Sequence, residues 1–452
     1  MTDMRELIEL ARGVVALAQR RGADEAECVI QHGCEFSATV RLGEVEALKE
    51  AGGKGLGVRV FAGRKSASAF SSDLSEAALA RTVDSALAMA RASTDDAIAG
   101  LPEEFAVAPN GAAELGIYFP GTAAIAPEAG IALARECEAA ALAADPRIQN
   151  SEGGGFEASE SHRVLANSRG FAGGWSRSGC SLSAVPIATQ DGQMQRDYWY
   201  AVAHRREALE APDAVGRIAA ARALRRLGAR KPPTGQYPVI FEPQAARSIL
   251  GHIAESVNGD MIYRQSSFLA GKIGQAIAHP SVTVVDDGRK PGGFASRPYD
   301  GEGVATRRTV VIEKGVLQSY LLNTYAARKL GLRTTGNASR GLAGAPGISA
   351  TNLYLEPGAT PAEDIIKGVK QGLYVTELIG FGFNAVNGDY SRGAAGLWIE
   401  NGELAYPVEE LTIAGNLSQM LLQISAIGND LEFRGPVASP TLLFENLTIA
   451  GQ

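Results

Sequence analysis

The chain has 452 residues, 45% of them hydrophobic and 21% charged, which is enough for two or three domains around a large buried core. Its formal net charge of -7 runs against a general nucleic-acid binder, which carries a basic face. No run approaches the length of a membrane span, and the 53 glycines signal many turns and close backbone approaches.

Residues 1–92 read as a first α/β unit. A helix over 3–20 places Leu7, Ile8, Ala11, Val14, Val15 and Ala18 on one face. Strands follow over 28–40, 44–49 and 56–61, with Gly52, Gly53 and Gly55 as turn punctuation, and a helix covers 74–92. The acidic start shows no cleavage signal, and Cys28, Cys34, Cys137 and Cys180 are scattered without a CxxC pair. Reduced thiols in a cytoplasmic protein are the expectation.

Residues 93–127 combine Pro, Gly and acidic residues without a period and read as a surface linker. Residues 128–231 repeat the first plan: a helix over 128–144, strands over 148–206 and a helix over 212–228. The strands are long and polar on one face, with Phe171, Trp175, Cys180 and Leu182 standing among Ser and Gly. Such strands suit an exposed sheet wall. Arg217, Arg222, Arg225, Arg226, Arg230 and Lys231 read as a solvated helix face.

Pro232-Pro233 ends this unit, because a proline pair cannot continue a helix. Residues 232–452 then read as a β-rich C-terminal domain, giving an α+β chain of two helix–strands–helix units followed by that domain. A strand over 237–241 leads into a helix started by Pro243. Hairpins are expected at Glu313-Lys314-Gly315 and at Asn401-Gly402. Between and after them lie a helix over 324–330, a strand over 352–356, a helix from Pro361, a helix over 417–426 and closing strands.

Signatures for phosphate loops, serine nucleophiles and HExxH zinc helices are absent. On the helix ending in Gly259-Asp260, His252 and Glu255 share a face, but no second histidine follows at a ligand spacing. From Gly235 onward the histidines are His252 and His279 and there is no cysteine, so this half cannot build a His/Cys zinc site. Asp286, Asp287, Asp300 and Glu302 form two acidic knots, read as loop caps and ion pairs rather than a hard-cation site. The loop carrying Asn384, Asn387, Asp389, Tyr390 and Arg392 has the amides, phenol and guanidinium of a substrate-facing segment, or is a long connection held by its own Asp and Arg. His32, His162, His204 and His279 lack catalytic company, and Ser391 has no base partner.

Several motifs in order resemble the TldD/PmbA family, also labelled modulator of DNA gyrase: GQYPVIFEPQAARSILGHIAESVNGD, PYDGEG, VIEKGVLQSYLLNTYAARKLG, NGDYSRGAAGLWIENGE and PTLLFENLTIAG. The resemblance covers nearly the whole chain. In the zinc-bearing subunits of that family a His-Glu-x-x-x-His helix runs into a Gly-Asp pair, and a cysteine near the C-terminus completes the site. Counted back from Gly259-Asp260, Leu250 and Glu255 stand at the histidine positions, Gly251 at the glutamate position, and Ile427 at the cysteine position. His252 is out of register, and the helix over 243–260 looks like the inactive equivalent.

The resemblance therefore implies a PmbA (TldE) type subunit with no catalytic residue and no metal of its own. It implies a heterodimer with a TldD-type partner holding the zinc, which processes or degrades unfolded peptides, including peptide-antibiotic maturation and antitoxin turnover. The alternative is a homodimeric, non-proteolytic protein that binds a client such as DNA gyrase. Neither expectation involves nucleic acid or a membrane.

Overall fold

The computed structural model describes residues 3–106 and 113–451. Helix α1 (Met4–Arg20), capped by Asp3, precedes β1 (Glu25–Arg41), β2 (Glu44–Ala62), β3 (Lys65–Ser71) and α2 (Glu76–Ala92). Helix α3 (Pro127–Ala143) opens the second unit, followed by β4 (Ile148–Asn167), β5 (Ala172–Gln190), β6 (Gln193–Arg196), β7 (Trp199–Ala203) and α4 (Pro212–Leu224). The two units share one antiparallel sheet of order β3-β2-β1-β4-β5-β6, with β7 also on β5. The join is β1 on β4, where Glu27 faces Asn167 and Val40 faces Gly154.

β2 runs unbroken through Gly52, Gly53 and Gly55, which corrects their reading as turn punctuation. At Gly55 and Gly57 the physical reason lies on the strand's surface, whereas Gly53 meets nothing within 4 Å. A Cβ on Gly57 would sit 1.8 Å from the Leu342 carbonyl oxygen, and one on Gly55 would sit 2.4 Å from the Leu342 side chain. Glycine thus marks where a loop of the C-terminal domain lies against the sheet.

Alternate residues of the long strands divide the sheet into two faces. Cys28 and Ile30 with Val164 and Ala166 pack beneath α1 and α2, while Phe36, Ala38, Phe156, Cys180 and Leu182 pack beneath α3 and α4. On the opposite face, Val29, Leu165, Phe171 and Trp175 pack against Leu115, Ile117 and Tyr299, so one end of it is covered by the C-terminal domain together with the segment read as a surface linker, which buries Leu115 and Ile117 here.

That domain contains β8 (Gly235–Phe241), α5 (Pro243–Ser256), α6 (Gly259–Tyr263), β9 (Val284–Asp287), β10 (Arg308–Glu313) and β11 (Val316–Leu317). It continues with α7 (Thr324–Leu330), β12 (Ala338–Ser339), β13 (Gly347–Ile348), β14 (Leu353–Leu355), α8 (Ala362–Lys367), β15 (Gln371–Ile379) and β16 (Asp389–Glu400). Last come β17 (Glu403–Asn416), α9 (Leu417–Met420), β18 (Ile424–Ile427), β19 (Val437–Ala438) and β20 (Leu442–Ala450). One sheet has the order β17-β16-β15-β8-β20-β18, and β17 also pairs with β20, so five of its strands close on themselves. A second sheet has the order β11-β10-β9-β14-β19. Helix α5 lies between them, with Ile249, Leu250 and Ile253 in the domain's main core.

The tight hairpin turns fall where Lys314-Gly315 and Asn401-Gly402 place them, all four residues having positive φ as a type I′ turn requires. The helix expected over 417–426 is cut short at Met420, because residues 424–427 are taken up as a strand on β20. The basic residues around α4 are a solvated face only in part: Arg217, Arg230 and Lys231 are exposed, while the others turn inward. Arg222 bonds Asp197 at 3.3 Å and Glu242 at 2.8 Å, and Arg225 reaches Glu242 at 3.3 Å, tying the second unit to the start of α5.

Candidate functional site

Helix α5 begins at Pro243, whose fixed φ suits a first turn, and its apolar face seats it in the core. The positions at which the family resemblance implies a metal site differ in burial. Leu250 is fully buried, Gly251 and Glu255 are exposed, and Ile427 is buried on β18. Leucine, glycine and isoleucine offer no donor, and a lone exposed carboxylate is one ligand of the three or four that zinc takes, so the residues present do not fit that ion. Among the described residues, no group of three or more His, Cys, Asp or Glu side chains could hold a metal ion.

His252, the neighbour of these positions, is held by aromatic packing. Its ring lies 4.3 Å from Phe383 and 5.9 Å from Tyr390, edge-on to the latter. Burial, and then the charge of Arg392, pushes its pKa down to about 4. The ring is therefore neutral near pH 7. His252 Nε2, Tyr390 Oη and Arg392 Nε are buried with no hydrogen-bond partner among the described residues. Two features that lie far apart in the sequence, the helix and the polar loop, thus meet here.

The loop itself divides into two parts. Asn384, Asn387 and Asp389 are exposed and engaged locally: the Val386 N–H donates to Asn384 Oδ1, and Asn387 Nδ2 donates to Asp389 Oδ2. Asn416 Nδ2 donates to both the Asn387 carbonyl and Asp389 Oδ1, fixing the loop to the end of β17. These contacts are those of a shaped turn. Tyr390 and Arg392, further into β16, face His252 instead. Beside them Ile379, Phe381 and Val386 form an exposed apolar tip.

The acidic knots are buried loop caps. Asp300 Oδ1 accepts the N–H groups of Glu302 and Val304, and its Oδ2 accepts that of Ala338. Asp286 accepts from Asn337 Nδ2 and the Thr351 N–H, and Glu302 accepts from the Thr324 N–H. Burial, with Asp300 alongside, pushes Glu302 up to about 7.

An open cleft lies on the sheet. Where the C-terminal domain leaves the face uncovered, a cleft of about 730 Å³ is lined by residues that include Gln31, Gly33, Ser159, Ser161, Arg163, Trp175, Arg177 and Leu342. A second cleft of about 370 Å³, reaching Ser37, Lys49, Gly179, Ser181 and Phe294, shares Glu35 and Ser159 with it. Together they make a polar trough across β1, β4 and β5, in keeping with the sheet wall expected from the composition of these strands. Reading the sequence did not single out Arg163 or Arg177. The available signal was two arginines on alternating strands at positions that share a face with Leu165 and Trp175.

Residues 26–90, 121–227 and 234–451 match in turn the first, central and C-terminal domains of the family described as PmbA/TldA metallopeptidase. The chain is 39% identical over 448 residues to "Metalloprotease PmbA" of Escherichia coli O157:H7, covering 99% of this chain and 97% of that protein. A crystal structure from Bacteroides thetaiotaomicron, described as that of a candidate modulator of DNA gyrase, superposes with a TM-score of 0.90 at 27% identity and 98% coverage of both chains. The fold is also that of TldE from Thermococcus kodakarensis, with a TM-score of 0.89 at 22% identity, covering 98% of this chain and 100% of that one.

Proposed function

Since the chain belongs to the PmbA/TldD metallopeptidase family, we propose that it is the zinc-free, PmbA (TldE) type subunit of a heterodimeric cytoplasmic peptidase acting on unfolded peptides. The observation that carries this is at α5 and β18, where Leu250, Gly251 and Ile427 bring no donor atoms and Glu255 faces solvent. In this proposal the zinc and its general base belong to a TldD-type partner. This chain provides a wall of the chamber and a surface for extended substrate.

Two further observations support the division of labour. The trough offers hydroxyls, an amide and exposed glycine backbone to a chain lying across the strands, the groups that hold a peptide without reading its sequence. The apolar tip at Ile379, Phe381 and Val386 offers area for a second subunit to cover.

The test is co-purification with a TldD-type protein, followed by metal content and peptidase assay of each component and of the mixture. Zinc in the partner, none in this chain, and turnover only in the complex are expected. Strong peptidase activity of this chain alone would overturn the proposal. So would failure to associate with any TldD-type protein, and direct binding of a client such as gyrase would then favour a homodimeric, non-proteolytic role.

A further inference from the structure

The sheet trough contains a charge that the fold does not balance. Arg163 on β4 and Arg177 on β5 lie on the same face, since Arg163 pairs in register with Trp175 and Arg177 with Ser161, two positions along. Both are half-buried. Each makes a hydrogen bond to a backbone carbonyl of the C-terminal domain, Arg163 Nη2 to Arg340 and Arg177 Nη2 to Ser296, and Arg177 Nε is buried without an acceptor among the described residues.

What surrounds them is more positive charge. Burial comes first, but Arg163 is also opposed by Arg297, Arg340 and Arg177, and Arg177 by Arg297. Both are pushed down to about 10, and no carboxylate offsets either one. The neighbouring carboxylates are engaged elsewhere: Glu27 with Arg340, Glu35 with Lys49, and Glu160 with Tyr118 Oη and the Ala123 N–H. A buried guanidinium without a counter-ion costs stability. Arg163 and Arg177, both largely withdrawn from solvent, stand side by side at the edge of the cleft.

We propose that Arg163 and Arg177 bind the carboxylates of acidic side chains in a peptide lying along the trough. Carboxylate fits the planar guanidinium fork bidentately, and the two forks are spaced across adjacent strands so that alternate side chains of one extended peptide can reach them. Trp175, with the Arg177 guanidinium 5.0 Å from its ring, gives the acidic side chain an apolar wall that strengthens the contact. This rests on the peptide-binding role proposed above and names the substrate class it favours: peptides carrying Asp or Glu.

The probe is a fluorescently labelled unstructured decapeptide containing two Glu at alternate positions, compared with its Gln counterpart by anisotropy on the full chain. The Glu peptide is expected to bind about tenfold tighter or more, with affinity falling as salt rises. Arg163→Met with Arg177→Met should abolish the preference. Because the replaced charges repel their neighbours, the variant should melt no lower than the parent. If it fails to fold, the charge series and salt dependence on the parent decide alone. Equal binding of Glu and Gln peptides overturns the proposal. So does inorganic phosphate binding at the arginines with no binding of the acidic peptide, or an unchanged preference in the double variant. A complex with a TldD-type partner that turns over both peptides equally well removes this inference while leaving the subunit role standing.

Discussion

Arg340 on the C-terminal domain places its guanidinium 2.6 Å from Glu27 on β1, a close charge contact without hydrogen-bond alignment, with Arg59 of β2 3.5 Å away on the same carboxylate. All three are buried, with side-chain exposures of 0%, 1% and 9% for Arg340, Glu27 and Arg59. Removing one partner of a buried pair leaves an uncompensated charge and costs about 3–5 kcal/mol. Glu27→Gln strips the carboxylate shared by two guanidiniums and belongs at the upper end of that range. Arg340→Met leaves Glu27 with Arg59 and relieves the repulsion on Arg163, so it belongs at about 3 kcal/mol or a little less. Arg59→Met keeps the closer pair and should cost least. Combining Glu27→Leu, Arg59→Met and Arg340→Met removes every charge of the cluster, and such apolar replacements are often neutral or stabilising. Urea unfolding followed by tryptophan fluorescence, with Trp175 close to the joint, measures the order. The reasoning fails if Arg340→Met costs under about 1 kcal/mol, or if the triple substitution is no more stable than Glu27→Gln alone.

Gly57→Ala should cost about 2 kcal/mol or more and open residues 341–347 to protease, because its Cβ meets the Leu342 carbonyl oxygen; Gly53→Ala, with nothing within 4 Å, is the matched control and should not. Glu302 is held above its ordinary 4.5, so it folds best protonated. Its contribution is present below that value and is lost as pH rises through about 7, and Glu302→Gln should gain on the parent in thermal scans from pH 5 to pH 8.5. His252, held down near 4, has the opposite sign. It favours the fold above pH 6.5 and that advantage fades as pH falls toward 4, so His252→Phe should flatten the acid limb of stability. Asp389→Ala removes the acceptor of Asn387 and Asn416 and should cost about 1 kcal/mol. By contrast, Arg392→Ala should lower peptide turnover by the complex more than it lowers Tm, and an equal loss of both would make the arginine structural.

Local chemistry explains what could be read from the sequence. Asn401-Gly402 and Lys314-Gly315 declare their turns because few residue pairs accept two consecutive positive φ values, and Pro243 declares the start of α5. Glycine in β2 misled, since the same residue serves a turn and a close approach, and only the position of Leu342 tells them apart. The segment after Met420 keeps a helical pattern, yet Phe444 and Leu442 recruit it as a strand, a pairing no local window contains. The candidate sites show the same limit. That Leu250, Gly251 and Ile427 offer no donor atoms is plain from their residue types, and their standing at zinc-site positions is what the family resemblance implies. The meeting of His252 with Tyr390 and Arg392, and the crowding of four guanidiniums around the trough, depend on β16 and β5 being brought to distant partners.

Three of the four thiols are locked away: burial raises Cys28, Cys137 and Cys180, the last two to about 12 and about 11, so each stays protonated and shielded at neutral pH. Cys34 is exposed and borders the larger cleft. The natural chain therefore carries a ready attachment point for a maleimide dye at the edge of the trough. Occupancy of that surface can be followed by fluorescence in the unaltered protein, without first engineering a label into it.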